Sequence, residues 1–104
     1  MILLYIQSED LNQLNEIAYD LLESKLLLSA NLYPDLERFE MVDGKPVKKK
    51  INSLNGKTKA ALFNSIDERL REKYPDNLPH IFSVPIVSMD WDQVSRLVSN
   101  TREA

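Results

Sequence analysis

Cysteine is missing from the 104-residue chain, and histidine and glycine are scarce, with one and two copies. Without thiols there are no disulfides, no thiolate metal sites and no cysteine nucleophile. So few glycines leave no glycine-rich cofactor loop. No nucleophile–base pair or pair of catalytic carboxylates stands out, so an enzyme has no motif to rest on and none is expected. Excess positive charge is lacking as well: the formal net charge is −3, which provides no global field to recruit phosphate backbones, and nucleic-acid binding is not expected. There is no long hydrophobic run. The apolar start Met1 to Ile6 has no basic n-region and gives way to polar residues at Gln7. That fits neither a signal peptide nor a membrane span, and the expected location is cytoplasmic. No Asn-x-Ser/Thr acceptor occurs, which agrees with that location.

What is present suits one globular domain spanning residues 1–104, with 43% hydrophobic and 28% charged residues. The run from Ile2 to Gln7, bounded by Ser8-Glu9-Asp10, predicts a buried strand. Leu11, Leu14, Ile17, Ala18, Leu21, Leu22 and Leu26 then recur at helical spacing, and Asp10 with Gln13 reads as a capping box. Leu27 to Val42 is extended in character although Pro34 interrupts it, and Asp43-Gly44 before Lys45 is a hairpin signal. The returning strand, about Val47 to Leu54, carries Lys48-Lys49-Lys50 and the weak strand formers Asn52, Ser53 and Asn55, so fraying or a bulge is expected at its inner end.

After Gly56, the residues Leu62, Phe63, Ile66, Leu70 and Tyr74 again keep helical spacing, and Pro75 marks the exit. His80 to Val87 is β-rich. Asp90 can cap a last helix with Trp91, Val94, Leu97 and Val98 on its inner face. The order is β-α-β-β-α-β plus a C-terminal helix. This predicts an α+β, ferredoxin-like antiparallel sheet with both long helices on one face. The exposed sheet edges, the long hairpin among them, favour oligomerisation.

Over roughly Ile2 to Val98 these landmarks resemble the CutA family in identity and spacing. The resembling stretches are Glu16-Ile17-Ala18, Leu21-Leu22-Glu23 and Lys25-Leu26, followed by Asn31, Pro34, Asp43-Gly44-Lys45 and Lys57-Thr58. Pro75, Pro79, Ile81, Pro85 and Asp90 complete the series. The resemblance implies a ferredoxin-like homotrimer whose long hairpins pair across subunits, associated with tolerance of divalent cations, mainly copper, and similar in assembly to the PII signalling proteins. It also shows departures. The family's metal argument rests on a second-strand Cys and a His before the first of these prolines, where this chain has Ser29 and Tyr74. Family aromatics are replaced by Met41, Val42, Asp76, Gln93 and Arg96.

The candidate sites follow. Gly56-Lys57-Thr58 is not a P-loop, because Ile51 stands where that motif needs glycine. Read as a strand-to-helix turn, it places Thr58 near the cap, and Lys57 with the helix N-terminus would attract a carboxylate or phosphate. His80, as the only histidine, is either structural or a ligand for copper or zinc completed by symmetry copies or by a neighbour's Asp43 or Asp76. The lysine run reads as a solvated edge, and Asp67, Glu68 and Glu72 interleaved with Arg69, Arg71 and Lys73 as a charged helix face. Trp91 and Phe82 read as core or interface anchors. The leading expectation is a CutA-like trimeric binding or scaffold protein lacking the usual metal ligands. The alternatives are a PII-like sensor of a small anion using Lys57, Thr58, Asp43 and Asp76, and an uncharacterised enzyme.

Overall fold

A computed structural model describes residues 1–103 of the chain. In order, it comprises β1 (Ile2–Ser8), α1 (Leu11–Glu23), β2 (Asn31–Val42), β3 (Lys45–Thr58), a 3₁₀ turn (Ala60–Leu62), α2 (Phe63–Lys73), β4 (His80–Pro85) and α3 (Trp91–Asn100). The sheet order is β2-β3-β1-β4 with every neighbouring pair antiparallel, the expected ferredoxin-like arrangement. Alternation along β1 buries Ile2, Leu4 and Ile6 against the helices and leaves Leu3, Tyr5 and Gln7 half-buried on the opposite, open face. Leu14, Ile17 and Leu21 of α1 meet Ile66 and Leu70 of α2 over that inner face, and together they form the core.

The helix ends are set by local chemistry. The Asp10 carboxylate accepts from the amides of Asn12 and Gln13. The expected capping box is only half made, because Gln13 turns inward: its amide nitrogen donates to the Asn77 carbonyl at 2.7 Å and its oxygen accepts from the Ser8 hydroxyl. The amide of Asp10 donates to Ser8 Oγ instead. At the other end α1 stops at Glu23, so Leu26 reaches the core from a turn rather than from the helix. Lys25 is left-handed at φ 60°, while the Lys25 amide bonds the Leu22 carbonyl and the Leu26 amide the Leu21 carbonyl, a Schellman pattern with lysine where glycine is usual.

The hairpin closes at Asp43 and Gly44, both at positive φ, as a two-residue primed turn requires. The returning strand differs from expectation. It runs without a break from Lys45 to Thr58, and the bulge lies in its partner, between Tyr33 and Leu36. Polar residues hold β3 by specific bonds: Asn52 donates to the Ser8 and Glu9 carbonyls and accepts from the Asp35 amide, and the Ser53 hydroxyl bonds Asn55. Gly56 admits the Leu27–Ser29 segment, since a Cβ there would sit 2.8 Å from the Ser29 carbonyl oxygen. Extended pairing in β2 begins only at Asn31, so Ser29 precedes that strand.

β1 pairs with β3 only as far as Asn52. Beyond it the seven pairs from Leu36–Ile51 to Val42–Lys45 form a two-stranded arm roughly 20 Å long, with no third strand beside it among the described residues. The last helix also departs from expectation. Of its proposed inner face Leu97 is buried and Val94 half-buried, whereas Val98 is exposed and Trp91 is 86% exposed, so Trp91 anchors nothing in the core.

Candidate functional site

Gly56-Lys57-Thr58 does not open a helix. Lys57 and Thr58 end β3, and the first helical turn begins at Ala60, so no helix N-terminus stands behind Lys57. Thr58 is fully buried, and its hydroxyl donates to the Leu26 carbonyl at 2.8 Å, which makes it a tie between β3 and the turn after α1 rather than a ligand group. Lys57 points to the open face, where it lines a pocket of about 330 Å³ with Leu28, Ser29, Gln93, Arg96 and Leu97.

His80 lies at the far end of the sheet, exposed at the start of β4 and opposite Gln7 of β1. It lines a cleft of about 340 Å³ where the arm leaves the sheet, together with Gln7, Glu9, Arg38, Glu40 and Lys49. The polar groups of this cleft are engaged with one another. Arg38 donates to the Gln7 side chain, and Lys49 pairs with Glu40 at 2.6 Å and with Glu9 at 3.4 Å. The Lys49 ammonium bonded to it holds the Glu40 carboxyl below its ordinary range, and Glu40, then Glu9, hold the Lys49 amine above its own. Asp43 sits exposed at the hairpin tip and Asp76 exposed between α2 and β4; neither lines these two pockets. Thus a single subunit does not gather Lys57, Asp43, Asp76 and His80 at one place.

The donor set does not fit a transition metal within one chain. Among the described residues no three His, Asp or Glu side chains converge, and a lone exposed imidazole is too few ligands. Tyr74 and Ser29 supply none either: the Tyr74 hydroxyl donates to Glu16 at 3.0 Å inside the fold, and Ser29 belongs to the Lys57 pocket. Sequence reasoning does not single out Glu9, Arg38 or Glu40 for the cleft. Arg38 and Glu40 share a face by simple alternation, but only the bulge in β2 turns that face toward Gln7, and a one-residue shift of this kind leaves little trace in composition.

The open face itself is apolar. The Tyr5 and Phe82 rings stack in parallel with centroids 4.8 Å apart, and Phe82, Val84, Tyr33 and Leu36 are each more than two-fifths exposed. Among the described residues no helix is long and apolar enough to cross a membrane.

A family model described as CutA1 divalent ion tolerance protein matches residues 2–95. Among solved structures the chain is similar to a single-site variant of CutA1 from Pyrococcus horikoshii. The identity is 26% and the TM-score 0.85, over 99% of this chain and 100% of that one. It is also similar to the divalent cation tolerance protein Cut A1 from Thermus thermophilus, at 25% identity and TM-score 0.85 over 98% and 100%. The periplasmic divalent cation tolerance protein CutA from Archaeoglobus fulgidus shares the fold at 23% identity and TM-score 0.82, over 96% and 98%. No curated protein matches.

Proposed function

We propose, from the premise that this chain belongs to the CutA1 divalent ion tolerance family, that it acts as a homotrimeric binding or scaffold protein associated with tolerance of divalent cations, copper among them. The observation that carries the reading is the arm. A two-stranded ribbon standing alone is marginal in water, and this one leaves the outer backbone edges of β2 and of Lys45–Ile51 of β3 unpaired. It also exposes Phe39 (72%) and Met41 (67%). Strand pairing with a neighbouring copy satisfies those edges, and an arm-to-sheet contact repeated around a three-fold axis closes into a ring. The apolar open face around Tyr5 and Phe82 is the complementary surface such a ring would bury.

In this reading the protein works by binding rather than by catalysis, and it resides in the cytoplasm. An ion, copper or zinc, is held only where copies meet and His80 is joined by groups from a neighbour, because one subunit lacks the ligands. Native mass spectrometry of the purified protein, before and after adding copper or zinc, tests assembly and ion together. A trimer that takes up one metal per ring, or per interface, supports the whole reading. A trimer without metal removes the ion and keeps the scaffold, and a monomer overturns the reading. Fractionation of cells tests the compartment.

A further inference from the structure

The pocket beside Lys57 is lined by Leu28, Ser29, Lys57, Gln93, Arg96 and Leu97: two cations, a hydroxyl, a carboxamide and two leucines, with no carboxylate. In a chain of net charge −3 this is a local inversion of sign. Other cations do have carboxylate partners: Lys48 and Lys49 pair with Glu37 and Glu40, and Arg69 and Arg71 with Asp20 and Asp67. Lys45 and Lys50 on the arm stand unpaired among the described residues but line no pocket with a second free cation. Among the described residues Lys57 and Arg96 form no ion pair. Lys57 Nζ spends one of its three donors on Gln93 Oε1 at 3.1 Å, and Gln93 is held in that orientation by its own bond to the Asp90 carboxylate. The rest of the ammonium and the Arg96 guanidinium keep their donors. Asp92 of α3 and Asp90, its N-cap, are not in the lining, and Asp90 is committed to capping the helix at the Gln93 amide.

The walls are fixed before any ligand arrives. Gly56 lets the Ser29 backbone lie against β3. The far end of α3 is tied down by Lys59 Nζ to the Arg102 carbonyl at 2.7 Å, and Arg102 in turn bonds the Lys25 and Ser24 carbonyls. Buried Leu97 and half-buried Leu28 supply an apolar surface beside the cationic one. The volume of about 330 Å³ is at the small end for ligand sites. Lys57 from β3 and Arg96 from α3 face the same pocket from two elements, and an anion between them takes up donors that both leave free.

We propose that this pocket binds the oxyanion of a small metabolite, a phosphoryl or carboxylate group held between Lys57 and Arg96 with the Ser29 hydroxyl as a further donor. All six lining residues belong to one chain, so the site is complete without a residue or a metal from a neighbour.

The test is an NMR titration of the ¹⁵N-labelled protein with inorganic phosphate in one arm and succinate in the other, each against sodium chloride at matched ionic strength. The expected result is a saturable shift confined to amides around Ser29, Lys57 and Arg96 in at least one arm, and the arm that responds names the oxyanion. Arg96→Gln and Lys57→Gln should each weaken binding roughly tenfold or more, while Lys45→Gln at the hairpin should not. Shifts no larger than those from chloride in both arms, or native affinity in both pocket variants, would overturn the proposal. Arg96 is exposed on a helix surface, so its variant keeps the fold and decides the matter should Lys57→Gln be poorly folded.

Discussion

Tyr74 occupies the C-cap of α2, buried to 8% exposure, and its hydroxyl donates to Glu16 of α1. Burial first, and then the Glu16 carboxylate, push the phenol up to about 12. The folded state therefore keeps this proton more tightly than the unfolded chain, whose tyrosine titrates near 10. The resulting stability is complete below about pH 10 and drains away as the pH climbs through about 12, by on the order of 2–3 kcal/mol. Tyr74→Phe should lose about 1 kcal/mol at neutral pH and should not show that alkaline decline, which urea unfolding at a series of pH values would read. Asp20 works in the opposite direction. Its bidentate bonds from Arg69, at 2.7 and 2.9 Å, hold the carboxyl below the ordinary range against an opposing effect of burial. That contribution is present above the unfolded value near 4 and is lost as acid protonates the folded group. Arg69→Gln should cost up to about 1 kcal/mol at neutral pH, because Arg69 is partly solvated, and should make acid unfolding shallower. Lys25, left-handed at φ 60°, carries strain that glycine would not, so Lys25→Gly should raise stability by up to about 1 kcal/mol in thermal unfolding.

Among the elements, β3 depends most on contacts distant in sequence. Gly56→Ala would drive a methyl to 2.8 Å from the Ser29 carbonyl oxygen, with Leu27 also within 3.3 Å. The expected loss is about 1–3 kcal/mol in chemical denaturation, with shifted Ser29 and Lys57 amides. The same dependence explains what was legible in the sequence. The helices are plain from apolar spacing, α1 and α3 from an aspartate cap as well, and the turn from Asp43-Gly44, because those signals are local. The inner half of β3 is not, since Asn52, Ser53, Asn55 and Gly56 have poor strand preference and are kept extended by β1, by Asp35 and by the approach of Ser29. α3 shows the converse failure. Its apolar stripe is real, but the helix lies at the margin of the fold, so periodicity locates a stripe without telling how much of it is covered.

For the whole molecule, an extent of 46 × 29 × 20 Å reflects a subunit with a projecting arm. Replacing residues 38–49 by Asn-Gly should leave a folded subunit, because every core residue lies outside that stretch, and should yield a monomer where the native chain assembles. Light scattering with circular dichroism would read both results, and an assembled arm-less chain would remove the arm from the assembly argument. The candidate site was only partly legible at this scale. Lys57 is visible as a residue, but its neighbours Ser29, Gln93 and Arg96 come from segments that only the folded chain brings together. The bulge at Pro34-Asp35 acts on the same scale. It lets Asn31 and Tyr33 on the sheet and Leu36, Arg38 and Glu40 on the arm look out from one side. Deleting a single residue there would remove the bulge and leave a regular ladder with Leu36 still opposite Ile51, because the arm's faces are set by unbroken β3 and by the register of the hairpin turn. The bulge thus behaves as a vernier: one spare residue, invisible in composition, reconciles the register set by the sheet with the register set by the hairpin turn.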